Sequence, residues 1–279
     1  MRAAAASVGD ALEAATDALR AAGVDSPRLD AELLLEEASG RSRASLIASP
    51  DAPVDAAAAR AFAELIRRRL RREPVAYILG RRGFRRIELR VDPRVLSPRP
   101  ETEMLVDLAL ELEPSSVLDV GTGSGAIALA VAEELPAARV LGTDLYPEAL
   151  DVARLNAAAL GLGDRVELQA GSLPRDGSFD LLLANLPYVS AADWLALEPE
   201  LREFEPRGAL VPGPSGLEAF EALLGELSVS PVRIGAIGLE VGEGQAALVA
   251  ELVRRAGFER VEVRPDLAGI DRVVAGWRE

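Results

Sequence analysis

The 279-residue chain contains neither cysteine nor histidine. Those absences remove disulfides, thiolate nucleophiles, imidazole bases and the usual zinc ligands, so no metal site is expected and chemistry falls to carboxylates, amides, hydroxyls and backbone. Lysine is missing too. All 31 basic residues are arginine, and with the abundant alanine this reads as compositional bias rather than a functional choice. No apolar stretch reaches the roughly 18 to 20 residues of a membrane-spanning helix, and no signal-peptide pattern opens the chain, so a cytoplasmic protein without membrane partners is expected. The net charge of −14 argues against sequence-independent attraction to nucleic acid. What is present, 49% apolar residues over this length, suffices for a sizeable core and predicts two domains.

Charge is unevenly spread. Residues 67 to 94 hold eleven arginines (Arg67, Arg68, Arg69, Arg71, Arg72, Arg81, Arg82, Arg85, Arg86, Arg90, Arg94) against Glu73, Glu88 and Asp92, a local charge of +8. Such a run is ordinarily a solvated face. The competing reading is a docking surface for an acidic partner.

Up to about residue 72 the pattern is helical, with Leu12, Ala15 and Leu19, then Leu29, Leu33 and Leu34, then Phe62, Leu65, Ile66 and Leu70 at helix spacing. Gly23, Ser26-Pro27, Gly40, Pro50 and Pro53 punctuate these runs. Pro74 stops the last helix. Alternating Ile87, Leu89 and Val91 beyond Gly80 and Gly83 predict a short hairpin. Proline and acids in Ser97-Pro98-Arg99-Pro100-Glu101-Thr102-Glu103 are placed as at a helix start. From residue 116, strand candidates at Ser116 to Val120, Arg139 to Thr143, Arg165 to Gln169, Phe179 to Ala184, Ile234 to Val241, Arg260 to Arg264 and Arg272 to Gly276 alternate with helices beginning near Ser124, Pro147, Ser215 and Glu243. The predicted fold is α/β, a Rossmann-like seven-stranded mostly parallel sheet. Its expected divisions are a helical bundle over 1–75, a hairpin linker over 76–98 and a catalytic domain over 99–279.

The strand Val117-Leu118-Asp119-Val120 runs directly into Gly121-Thr122-Gly123-Ser124-Gly125 and an apolar helix. Glycines let the backbone turn sharply and approach a ligand closely. Read loosely, the spacing also fits a dinucleotide fingerprint or a bare strand-to-helix turn. Asp144 ends the next strand, where an acid meets ribose hydroxyls in doubly wound folds, although alone it reads equally as a helix cap before Pro147. Asp119 could meet the cationic methionine part of S-adenosylmethionine, whereas a pyrophosphate would be repelled there.

At the carboxyl end of the buried strand Phe179 to Ala184 stands Asn185-Leu186-Pro187-Tyr188. An amide or amino nitrogen conjugated to a π system is a poor nucleophile and needs acceptors for its N–H groups. The Asn185 side-chain oxygen and the Leu186 carbonyl can serve, Pro187 keeps residue 186 extended, and Tyr188 supplies a flat face. Orientation alone could contribute about 7 to 11 kcal/mol to an in-line transfer. A strand-ending turn is the bland alternative.

These residues resemble the amino-methyltransferases with an Asn/Asp-Pro-Pro-Tyr motif. Pro74-Val75-Ala76-Tyr77-Ile78-Leu79-Gly80, Ser97 to Glu103, Phe204-Glu205-Pro206 and Asp266-Leu267-Ala268-Gly269-Ile270-Asp271-Arg272 resemble the release-factor glutamine methyltransferase family over nearly the whole chain. The resemblance implies S-adenosylmethionine as cofactor and methylation of the glutamine amide in the Gly-Gly-Gln loop of bacterial class-I peptide chain release factors. It implies substrate recognition by the N-terminal bundle. By position, Gly121, Thr122, Gly123, Ser124, Gly125 and Asp144, with Asp119, Ser172 and Leu173, would hold the cofactor. Asn185 would touch cofactor and glutamine, and Leu186, Pro187 and Tyr188 would complete the catalytic glutamine pocket. The family usually has proline at Leu186 and an acid at Ser172. A methylase of adenine amino groups in ribosomal RNA or DNA is the alternative activity, and a noncatalytic binding module the alternative class.

Overall fold

The computed structural model describes residues 7–278. The chain forms two compact units, one of residues up to Gly80 together with Pro199–Phe204, the other of Arg81–Glu198 and the remainder from Glu205.

In the first unit, helices α1 (Val8–Ala21), α2 (Pro27–Ser39), α3 (Arg43–Ala48), α4 (Ala56–Leu70) and α5 (Val75–Leu79) enclose one apolar core. Side chains cap several helix starts. Ser7 and Asp10 form a capping box on α1, Asp55 accepts from the Ala57 and Ala58 amides, and Gly40 closes α2 in the left-handed conformation. The predicted phase of α2 needs correction. Leu29 is exposed and Leu33 half-buried, while Ala31, Leu34 and Leu35 fill the core. The misleading signal is charge. Asp30 and Glu32 are buried because Arg69, and Arg28 with Arg43, neutralise them there.

The second unit opens with the antiparallel hairpin β1 (Arg81–Phe84) and β2 (Ile87–Arg90), whose Ile87 and Leu89 are buried with Val91 as their alternation requires. The residues before it, expected as linker from 76, are helical in α5. After a short 3-10 turn over Pro100–Thr102 comes α6 (Glu103–Leu112). The alternation then follows as β3 (Ser116–Val120), α7 (Ala126–Glu134), β4 (Arg139–Asp144), α8 (Pro147–Ala159), β5 (Val166–Ala170) and β6 (Ser178–Ala184). Beyond α9 (Pro199–Phe204), in the first unit, it resumes as α10 (Glu218–Val229), β7 (Arg233–Glu240), α11 (Ala246–Arg255), β8 (Arg260–Pro265) and β9 (Asp271–Trp277).

The strand order is β5-β4-β3-β6-β7-β9-β8, parallel except where β9 runs against β7 and β8. Alternate side chains enter different cores. Val117, Leu181 and Leu183 face one packed by α6 and α7, while Leu118, Val120 and Leu182 face one packed by α10 and α11. The chain reverses its direction of sheet growth between β3 and β6, and their last paired residues are Val120 and Ala184. The segments that follow, Gly121 onward and Asn185 onward, therefore leave the sheet side by side at its carboxyl edge, where open α/β sheets bind ligands.

Candidate active site

A cavity of about 370 Å³ occupies this edge. Of the residues singled out from the sequence, Gly121, Thr122, Gly123, Ser124, Asp144, Asn185 and Pro187 line it together. The loop is shaped for a ligand. Gly121, Gly123 and Gly125 all have positive φ, of 74°, 57° and 85°. A Cβ on Gly123 would meet only the Gly121 carbonyl, at 3.9 Å, so its backbone faces open space that a ligand can fill. Gly125 has a packing reason instead, because a Cβ there would sit 2.8 Å from Leu129 Cδ1.

Asp144 accepts from the Gly123 amide through Oδ2 and from the Tyr146 amide through Oδ1, each at 2.9 Å. Burial nevertheless raises its pKa above the ordinary aspartate value, against the lowering by those amides. It thus braces the glycine loop from the facing wall and keeps further acceptor capacity for a diol. Replacing Asp144 with alanine should weaken cofactor binding, measured by calorimetry, since hydrogen bonds to a charged acceptor are worth about 1.5 to 3 kcal/mol each. Unchanged affinity would remove it from the cofactor site.

Asp119 lies elsewhere than on the wall. It is wholly buried, and its Oδ2 accepts from Thr122 Oγ1 at 2.6 Å and the Ala128 amide at 3.1 Å. The carboxylate expected to meet a cationic methionine instead holds the loop and the first turn of α7 in register, while Oδ1 has no hydrogen-bond partner. Burial pushes its pKa up to about 7. Ser172 and Leu173 are also off the wall. The Ser172 carbonyl accepts from Thr143 Oγ1 at 2.6 Å, and Leu173 packs on the core.

Asn185 donates from Nδ2 to Thr102 Oγ1 at 2.9 Å, which leaves its Oδ1 as the atom available to accept. Leu186 is buried against the glycine loop, its Cδ2 3.3 Å from where a Gly121 Cβ would lie. Tyr188 is fixed from its backbone, because Gln245 Nε2 donates to its carbonyl at 2.9 Å while Gln245 Oε1 accepts from the Gly242 amide. Its ring lies against Gly242, where a Cβ would come within 3.0 Å, and burial raises the phenol to about 12, so it stays protonated.

Tyr146, Glu240 and Gln245 were not singled out from the sequence, and Thr102 was read only as part of a helix start. Tyr146 lines the cavity with its hydroxyl against Gly208. Glu240 is the last residue of β7, 1% exposed, with Oε2 unpartnered and its pKa raised by burial to about 7 against a lowering hydrogen bond from Thr102. A carboxylate ending a buried strand at the carboxyl edge was the signal available for it.

The two buried carboxyls set a pH dependence of stability. Their folded values near 7 lie above the ordinary 3.8 and 4.5, so the folded protein retains protons that the unfolded chain loses. Their stabilising contribution is full below the unfolded values and is lost as pH rises through about 7. Unfolding midpoints should be higher at pH 6 than at pH 8, with a smaller difference in Asp119→Asn. Equal slopes in the two proteins would contradict the assignment.

The arginine belt is largely committed internally. Arg68 pairs with Glu73, Arg69 with Asp30 and Glu200, Arg72 with Glu200, Arg85 with Asp107 and Glu134, and Arg94 with Asp92. Reversing Arg85 to glutamate would therefore test the fold before it tested docking.

An open sheet in this strand order, with a glycine loop after β3 and an amide-bearing tetrapeptide after β6, defines a Rossmann-like methyltransferase, for which S-adenosylmethionine is the methyl donor. Family models agree: residues 10–80 match the PrmC N-terminal domain and residues 117–205 a methyltransferase domain. The chain is 44% identical to the release factor glutamine methyltransferase of Caulobacter vibrioides over 94% of its own length and 93% of the relative's. It is 41% identical to that of Rhodopirellula baltica, over 95% and 94%, and 44% identical to that of Bordetella pertussis, over 90% and 95%. The chain belongs to the release factor glutamine methyltransferase family. Solved structures share the fold at low identity. They include the hMettl16 catalytic domain in complex with a MAT2A 3'UTR hairpin (TM-score 0.54, 17% identity, 73% of this chain and 78% of that one) and a methyltransferase from Pyrococcus furiosus (0.50, 17%, 68% and 88%).

Proposed function

We propose that this chain methylates the side-chain amide nitrogen of the glutamine in the Gly-Gly-Gln loop of bacterial class-I peptide chain release factors. The carrying observation is that Asn185, its Nδ2 committed to Thr102, presents Oδ1 as an acceptor in the cavity that the glycine loop lines. The loop Gly121 to Ser124 and Asp144 would hold the cofactor, which supplies an electrophilic methyl group on a sulfonium.

The residues of the chain act on the nitrogen. Asn185 Oδ1 and the Leu186 carbonyl accept its two N–H groups, which fixes the nitrogen's orientation and draws electron density toward it. Pro187 confines residue 186 to extended backbone and keeps that carbonyl aimed. Tyr188 is off the cavity wall, packed on the core beside Gly242 and held by Gln245, and it stays neutral near neutral pH, so it supports the tetrapeptide from behind. The small helical unit serves substrate recognition. Among the described residues no helix is long and apolar enough to cross a membrane.

The direct test is transfer of labelled methyl from S-adenosylmethionine to purified release factor beside ribosomal RNA. Label in the release factor alone is expected, and label in the RNA alone would replace this reading with the adenine-methylating one.

A further inference from the structure

Asn185 can serve as an acceptor only if its amide is held one way round, because the flipped amide would present an N–H donor to the N–H groups of the substrate. The bond from Nδ2 to Thr102 Oγ1 shows this orientation, and it lasts only while the Thr102 proton is directed away from Asn185. A hydroxyl both donates and accepts, so a Thr102 proton free to turn toward Asn185 Oδ1 would favour the flipped amide, with Nδ2 facing the cavity. What decides it is the group on the other side of Thr102. Glu240, at the end of β7, is buried to 1% exposure and hydrogen-bonded by the Thr102 hydroxyl. An ionised carboxylate accepts and cannot donate.

We infer that Glu240 and Thr102 are positioning residues that set the polarity of Asn185, through a relay in which Asn185 Nδ2 donates to Thr102 Oγ1 and the Thr102 hydroxyl donates to the Glu240 carboxylate. This rests on Asn185 being the catalytic acceptor. The relay joins three elements far apart in sequence, the 3-10 turn at Pro100–Thr102, the end of β6 and the end of β7, and every member is held. Thr102 is 3% exposed and Asn185 follows the strand residue paired with Val120. Thr102 itself lines the cavity, whereas Glu240 is off its wall and acts only through Thr102.

Protonation of Glu240 removes the direction. A neutral carboxyl can donate to Thr102 and release the Thr102 proton to turn toward Asn185 Oδ1. The charged and titratable groups around Glu240 are Glu101, which raises its pKa, Arg272 and Arg99, which lower it, and Tyr188, which is neutral there, but burial outweighs them. Turnover should therefore fall as pH drops through about 7. That is the opposite direction from the stability of the fold.

The experiment compares Thr102→Val, Thr102→Ser, Glu240→Gln and Asn185→Ala in the full chain with release factor as substrate. Thr102→Ser keeps a hydroxyl and should retain near wild-type kcat. Thr102→Val should lose roughly 10- to 100-fold in kcat at saturating cofactor and release factor, the scale of a misplaced reacting group, while its melting temperature falls modestly because buried Glu240 loses a hydrogen bond. Glu240→Gln, whose amide can donate or accept at any pH, should lose the acidic limb of the kcat profile and behave at pH 8 as wild type does at pH 6. Adding Thr102→Val to Asn185→Ala should cost nothing further. The relay is overturned if Thr102→Val keeps full kcat while Asn185→Ala is inactive, or if Glu240→Gln keeps the acidic limb. If Asn185→Ala itself keeps wild-type kcat, the catalytic reading of Asn185 fails, which is a separate result.

Discussion

Replacing Asn185 with alanine should lower the rate of methyl transfer by about 10² to 10³, the magnitude seen when one preorganised hydrogen-bonding group is removed from a reacting centre. The effect should appear in single-turnover rates with cofactor saturating, because the lost contact acts on the nitrogen as it becomes nucleophilic and not on the cofactor. Much of the cofactor affinity should persist, since the glycine loop is braced by Asp119 and Asp144, neither of which touches Asn185 by a hydrogen bond. The fold should persist as well. Asn185 is only partly buried, and Thr102, left without its donor, keeps the Glu240 carboxylate as a partner. A variant with near wild-type single-turnover rate would strip Asn185 of its role.

Replacing Arg69 with methionine should destabilise the helical unit by about 3 to 5 kcal/mol, the cost of leaving a buried charge unpaired. Arg69 is 6% exposed and sits between two acids, with Nε donating to Asp30 Oδ2 at 2.7 Å and Nη1 to Glu200 Oε1 at 2.8 Å. Asp30 is left without its cation. Burial already raises its pKa despite Arg69, so without Arg69 it would take up a proton more readily, and the loss should shrink as pH falls. Glu200 retains Arg72 at 2.5 Å, so its share is smaller. Its pKa is kept low by Arg72 and Arg69 although burial alone would raise it. Denaturant unfolding followed in this unit, with Asp30→Asn added to Arg69→Met, should show partial recovery. A single substitution costing under about 1 kcal/mol, the value of a surface pair, would mean that the cluster is solvated.

The sheet was legible because its central parallel strands are buried on both faces and read as continuous apolar runs such as Leu181 to Leu183, closed by turn residues. The glycine loop and the tetrapeptide were legible as local sequence. Three things were not. Helix α9 has six residues and belongs to the first unit, too short for a periodic signal and too far along the chain to be assigned there. The inner face of α2 was hidden by Asp30 and Glu32, charges whose burial makes sense only once Arg69, Arg28 and Arg43 are in place. The partner of Asn185 was hidden by distance, since Thr102 lies 83 residues away and meets it only through the sheet. Asp119 shows the converse limit. Its place before the glycine loop was plain, but whether it faced the ligand or the protein depended on Thr122 and the Ala128 amide.

The most direct test of the central claim is mass spectrometry of the Gly-Gly-Gln peptide from purified release factor after incubation with this protein and S-adenosylmethionine. A single added methyl group on the glutamine amide, absent with Asn185→Ala, is the predicted result; an unmodified glutamine in a reaction whose cofactor is consumed on another residue or on RNA would contradict it.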